Sequence, residues 1–118
     1  MSTTDESCLF CRIAAGTIPA TMVHSDDRVL AFRDINAQAP VHVLVIPRDH
    51  IGSAAELTPA QDQLWGRMLH VAQAIAEDEG EADAGYRLVT NVGRNAGQTV
   101  HHLHLHLLAG RRMAWPPG

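Results

Sequence analysis

The run Gly97-Gln98-Thr99-Val100-His101-His102-Leu103-His104-Leu105-His106-Leu107-Leu108 alternates imidazole and leucine through its second half. A period of two is that of a strand whose faces meet different surroundings. It puts His102, His104 and His106 on one face, over about 13 Å of strand, with Leu103, Leu105 and Leu107 on the other. The leucines can pack under a helix. One histidine on such a face reads as a solvated polar residue, but three in register, with His42 on another strand, read as chemistry. Two chemistries fit. An H-x-H pair on a strand can hold zinc, and a neutral imidazole can act as a covalent nucleophile while its neighbours fix tautomer and charge. Gly97-Gln98-Thr99 supplies backbone N–H groups and a hydroxyl beside the histidines, a setting suited to a phosphoryl group, and favours the second.

Working outward, Val41 to Ile46 (VHVLVI) lies between Pro40 and Pro47 and is apolar on both faces except at His42, which predicts a central strand. Met22 to His24 and Arg28 to Arg33 flank Ser25-Asp26-Asp27 and predict a hairpin. Tyr86 to Val92 and Val100 to Leu108 predict two more strands. Cys8 to Ala15, closed by Gly16 and the Ile18-Pro19 break, predicts a short helix. Thr58-Pro59-Ala60-Gln61 starts a helix, with Thr as N-cap, Pro at the first position and Gln completing a capping box. Leu64, Met68, Val71, Ala72 and Ile75 continue it at helical spacing to Glu79. The acidic run from Glu77 to Glu81 reads as a solvated turn. Together these predict an α+β fold: an antiparallel sheet of about five strands with one long and one short helix on one face.

The chain of 118 residues predicts one domain, 1–118, with residues 1–7 flexible and 111–118 a proline-containing tail. Its 46% hydrophobic and 19% charged residues are those of an ordinary globular protein. Histidine is the anomaly: 8 of them, against Phe 2, Trp 2 and Tyr 1. A net charge of -4 and a pI near 6.0 are the wrong sign for gripping nucleic acid by its phosphates. All nine basic residues are Arg, which excludes a lysine Schiff base and a P-loop lysine. No signal peptide and no membrane-spanning run is expected, so the default location is the cytoplasm. There the only cysteines, Cys8 and Cys11, are expected as thiols for metal or redox use, not as a structural disulfide.

The Gly97–Leu108 run resembles the His-φ-His-φ-His-φ-φ signature of the histidine-triad (HIT) family of nucleotide hydrolases and transferases. Phe32-Arg33-Asp34-Ile35, Gln38-Ala39-Pro40-Val41-His42, Val45-Ile46-Pro47-Arg48-Asp49-His50-Ile51 and Met113-Ala114-Trp115-Pro116-Pro117-Gly118 resemble its Hint branch. The resemblance implies a HIT-like fold, a homodimer that continues the sheet across its two subunits, and a purine nucleoside phosphoramidase releasing an amine and AMP, or a GMP-like product. By it, His104 attacks the α-phosphorus, His106 binds the phosphate and leaving-group side, and His42 and His102 supply part of a relay. Thr99 donates its hydroxyl, with the Gly97-Gln98-Thr99 backbone and Asn91 at the phosphate. Asp34 accepts both ribose hydroxyls, as a carboxylate taking two O–H donors can, and Phe10, Ile13, Phe32 and Ile35 form the apolar slot for the base. Trp115 matches a tail residue that approaches the partner's site.

The same resemblance implies structural zinc at Cys8, Cys11, His50 and His102, a closed Cys₂His₂ site with no open position, and no cofactor for the chemistry itself. His102 then has two duties, one ring nitrogen on zinc and the other turned toward the catalytic site. The cysteine pair makes the chain resemble a microbial form. It departs from the branch at His101, often an aromatic and expected here on the leucine face, and at Ala114, often a histidine. His24 and His70 read as surface residues. The alternatives are a dinucleoside polyphosphate hydrolase or nucleotidyltransferase and, in another class, a zinc-binding scaffold or interaction protein.

Overall fold

Val41–Pro47 forms β3, the centre of a five-stranded sheet in a computed structural model that describes residues 5–118. Around it lie α1 (Leu9–Ala14), β1 (Met22–Ser25), β2 (Val29–Arg33), α2 (Asp62–Asp78), β4 (Tyr86–Val89) and β5 (Leu105–Ala109). The strands run β1-β2-β3-β5-β4, and every neighbouring pair is antiparallel. This is the α+β architecture expected. Short 3₁₀ turns at Ala54–Glu56, Pro59–Gln61 and Arg94–Ala96 join the pieces.

The two faces of β2 and β3 are apolar for different reasons. Val29, Ala31, Val43 and Val45, with Leu103, Leu105 and Leu107, pack against Leu64, Met68, Val71 and Ile75 of α2. Burial of each Val, Leu, Ile or Met among them stabilises by about 1.5–3 kcal/mol, and the sum docks the long helix. The intervening residues, Leu30, Phe32, Leu44 and Ile46, meet Phe10, Cys11 and Ile13 of α1. The helices therefore sit on opposite faces, where one shared face was expected. The cause lies in β3, which carries apolar residues at both parities and must be covered twice.

Other boundaries shift for local reasons. Pro59–Gln61 is a 3₁₀ turn preceding α2, and the Thr58 N–H donates to Gln61 Oε1 at 2.8 Å, so the capping residues act one turn early. Gly16 closes α1 with φ +78°, a left-handed conformation that glycine adopts without steric cost. β4 stops at Val89 and β5 starts at Leu105, so the segments 90–92 and 100–104 are irregular where strands were expected. Their polar groups have partners outside the ladder: Leu103 N–H donates to Ile51 O at 2.6 Å, and Thr90 Oγ1 donates to His104 O at 2.8 Å. Of the lead expected to be flexible, residues 1–4 lie outside the described part. Residues 5–7 form a turn in which Asp5 Oδ1 accepts from both the N–H and the hydroxyl of Ser7, at 2.9 and 2.6 Å. No helix of the described residues is long and apolar enough to cross a membrane.

Candidate active site

Hydrogen bonding fixes the tautomers of the histidines. His104 Nδ1 lies 2.7 Å from the carbonyl oxygen of His102, which can only accept, so in the neutral ring Nδ1 carries the proton and Nε2 is bare. The Gln38 backbone N–H donates to His42 Nδ1 at 3.0 Å, which leaves the proton of a neutral ring on Nε2. His42 Nε2 then donates to His106 Nδ1 at 2.9 Å, and neutral His106 presents Nε2–H. One bare nitrogen and one N–H donor result, on rings whose centroids are 5.0 Å apart. His106 is held at a pKa of about 4 by burial and by the neighbouring His104 and His42. Burial likewise lowers the His42 pKa, against the pull of Asp34. His42 and His106 are thus held in their uncharged forms, as a hydrogen-bonding relay needs.

These rings open onto a cavity of about 510 Å³. Asp34, His42, Thr99, His104 and His106 line its polar part, and Phe10, Ile13, Phe32, Leu44 and exposed Ile35 its apolar part. The Phe10 ring stands edge-on to His104 with centroids 5.1 Å apart, and to Phe32 at 5.5 Å. Asp34 follows β2 directly; its Oδ1 accepts from Asn36 N–H at 2.9 Å, and its Oδ2 lies 3.5 Å from His42 Nε2. Asp34, His42 and His106 could between them offer three metal ligands. The Gln38 N–H argues against it, because it occupies the His42 nitrogen that would have to take the proton if Nε2 gave its lone pair to an ion.

A second cluster has the opposite character. Fully buried His102 donates from Nε2 to Pro47 O at 2.9 Å, so its bare Nδ1 faces Cys8 Sγ at 3.3 Å and Cys11 Sγ at 3.5 Å. His50 Nδ1 lies 3.3 Å from Cys11 Sγ. The four donor atoms fall within 4.8 Å of one another. Tetrahedral zinc, with bonds of about 2.3 Å to sulfur and 2.0 Å to nitrogen, has S···N edges of about 3.5 Å. The donor set fits the ion in kind and in spacing. Without metal, burial and the adjacent Cys8 push the Cys11 thiol up to about 11, so binding has to displace a proton.

Sequence comparison agrees with this layout. The sequence model of the HIT domain matches residues 15–113. The chain belongs to the HIT family. It is 47% identical to the purine nucleoside phosphoramidase of Escherichia coli strain K12 over 106 residues, covering 90% of this chain and 89% of the relative. It is 46% identical to the 14 kDa zinc-binding protein of Zea mays over 116 residues, or 97% and 90% of the two chains. The crystal structure of a HIT family hydrolase from Legionella pneumophila superposes with a TM-score of 0.93 at 51% identity, covering 94% of this chain and 99% of that one.

Within this HIT chain several expected residues sit elsewhere. The Gln98 backbone N–H donates to Gly93 O at 3.1 Å, and its side chain bonds Gly52 O and accepts from Gly93 N–H. Gly97 and Gln98 therefore shape the loop, and of 97–99 only Thr99 borders the cavity. Asn91 lines a neighbouring open cavity of about 490 Å³ that shares His42 and His106 and is bordered by Met113, Ala114 and Pro116 to Gly118 of the tail. The second nitrogen of His102 points to Pro47 and not into the site, so this residue reaches His104 through its carbonyl. His101 is exposed and not on the leucine face, because residues 100–104 leave the ladder and the alternation stops short of it. His70 is exposed, but His24 is half-buried and bonded to Asp26 at 2.7 Å. Trp115 is 83% exposed. Sequence reasoning missed Thr90 and Gln38, which act through one hydroxyl and one backbone N–H and leave no side-chain pattern to read.

Proposed function

We propose that this HIT protein hydrolyses purine nucleoside 5'-phosphoramidates through a nucleotidyl-histidine intermediate on His104. The observation that carries the reading is the 2.7 Å contact between His104 Nδ1 and His102 O, which makes Nε2 the unprotonated nitrogen of the neutral ring, in a cavity that also holds Asp34 and an apolar slot. Base in the slot of Phe10, Ile13, Phe32 and Ile35, and ribose hydroxyls on Asp34, would leave the α-phosphate at Thr99, His104 and His106. His104 Nε2 forms a bond to phosphorus as the P–N bond breaks. The amine leaves with the bonding pair and takes up one proton, supplied from solvent by way of the His106 Nε2–H position. Water then attacks phosphorus, His104 departs with its electron pair, and the second proton returns to solvent. The sum is phosphoramidate plus water to AMP plus amine.

Zinc at Cys8, Cys11, His50 and His102 is part of the proposal as a structural ion, which when bound would fasten α1 to the sheet and supply no chemistry to the reaction. A homodimer is also proposed, with exposed Trp115 near the subunit junction. Rapid quench followed by mass spectrometry should find an AMP adduct on His104, and His104→Ala should show neither adduct nor turnover. Full activity in that variant would end the proposal. Faster hydrolysis of a diadenosine polyphosphate than of an AMP–amine conjugate would point to the dinucleotide alternative.

A further inference from the structure

We infer that metal at Cys8, Cys11, His50 and His102 and a purine nucleotide in the cavity bind with positive coupling, because one short helix builds both sites; this rests on the nucleotide reading given above. α1 has six residues, too few to hold a helix in water by itself. Cys8, its N-cap, and Cys11 carry the two thiols, and Cys8 Sγ also accepts from the Cys11 N–H at 3.2 Å. Phe10 and Ile13, on the other side of the same turns, line the cavity. Phe10 touches both systems, with its centroid 5.9 Å from that of His102 and 5.1 Å from that of His104.

The remaining ties of α1 to the sheet are apolar contacts and one long hydrogen bond from Arg48 Nη1 to Ala14 O at 3.4 Å. The other two donors stand on different supports: His50 just after β3, and His102 just before β5. An ion shared among them would pin α1 at two points of the sheet. The slot wall would then be in place before a nucleotide arrives. A nucleotide wedged against Phe10 would in turn hold the thiols where the ion needs them. Thermodynamic linkage requires the two effects to be equal in size.

The test uses the full chain and AMP as probe. Calorimetric titration should show AMP binding weakened by about 5-fold or more when zinc is stripped by a chelator, with saturating AMP tightening zinc by the same factor in a chelator competition. His50→Ala, which removes a donor from outside α1, should bind AMP like the stripped protein even with zinc present. Hydrogen exchange should speed up on stripping at the Arg12 and Ala15 amides, which donate to Cys8 O and Cys11 O at 3.1 and 2.9 Å, and slow again with AMP. Amides of β2 and β3 should stay protected. Loss of their protection as well would overturn the inference, because the metal would then hold the whole fold. Equal AMP affinities with and without zinc would overturn the coupling and leave the nucleotide site standing. AMP binding to neither form would overturn both.

Discussion

The carbonyl oxygen of His102 lies 2.7 Å from His104 Nδ1, while the His102 ring faces away, bonded to Pro47 O and turned toward Cys8 and Cys11. A single residue serves two clusters with different atoms. Its ring belongs to the thiols, and its backbone sets the tautomer of the next histidine. This division is possible because the segment before β5 has left the ladder, which frees the carbonyl to accept from a side chain.

Thr90 supports this arrangement one carbonyl further on, donating to His104 O at 2.8 Å. Thr90→Val keeps the shape and removes the donor, leaving a largely buried carbonyl unpaired at a cost of about 1–2 kcal/mol. The melting temperature should fall by roughly 4 °C per kcal/mol lost. An unchanged melting temperature would show that the hydroxyl does not hold the segment.

Asp34 offers a cleaner test of substrate recognition. Asp34→Asn retains an oxygen to accept from Asn36 N–H, so the turn survives, but it removes the charge proposed to take two ribose hydroxyls. Hydrogen bonds to a charged group contribute about 1.5–3 kcal/mol, so KM should rise about 10- to 100-fold for a ribonucleotide substrate. The 2'-deoxy substrate should lose far less. Equal losses for the two sugars would count against the ribose assignment.

Much of this was legible beforehand because alternation is a property of side chains. The split between the leucine core and the imidazole face follows from residues 102–107 alone, and β3 was readable from five apolar positions and His42 between two prolines. Two things were not legible. Helix placement failed because a strand apolar on both faces says that two covers are needed, not which helix supplies which. The tautomers failed because they depend on the Gln38 N–H and the His102 carbonyl, backbone groups that every residue type carries.

His42 shows what those backbone groups accomplish. Its Nε2–H is the donor that orients His106, so in His42→Ala the His106 Nδ1 loses its partner and the ring can present either nitrogen to the phosphate. As a positioning residue it should affect kcat, by up to about 100-fold, and leave KM within a few-fold. His42→Gln, which restores an N–H donor, should recover part of the loss. If KM rises and kcat does not fall, His42 is acting on binding and the relay is wrong.

The pH dependence tests the same relay through charge. His106 has a folded pKa of about 4, depressed by burial and by His104 and His42, against 6.5 for the free side chain. The unfolded chain therefore binds more protons between these values, so stability is retained above pH 6.5 and declines as pH falls toward 4. The His106 ring of the folded protein should likewise titrate well below 6.5. Thermal melts at several pH values and an NMR titration of the His106 ring measure the two effects. In His42→Ala one of the influences that lower His106 is gone, and its titration should move up toward 6.5. A wild-type His106 titration at or above 6.5 would mean that His106 is charged where the relay needs it neutral.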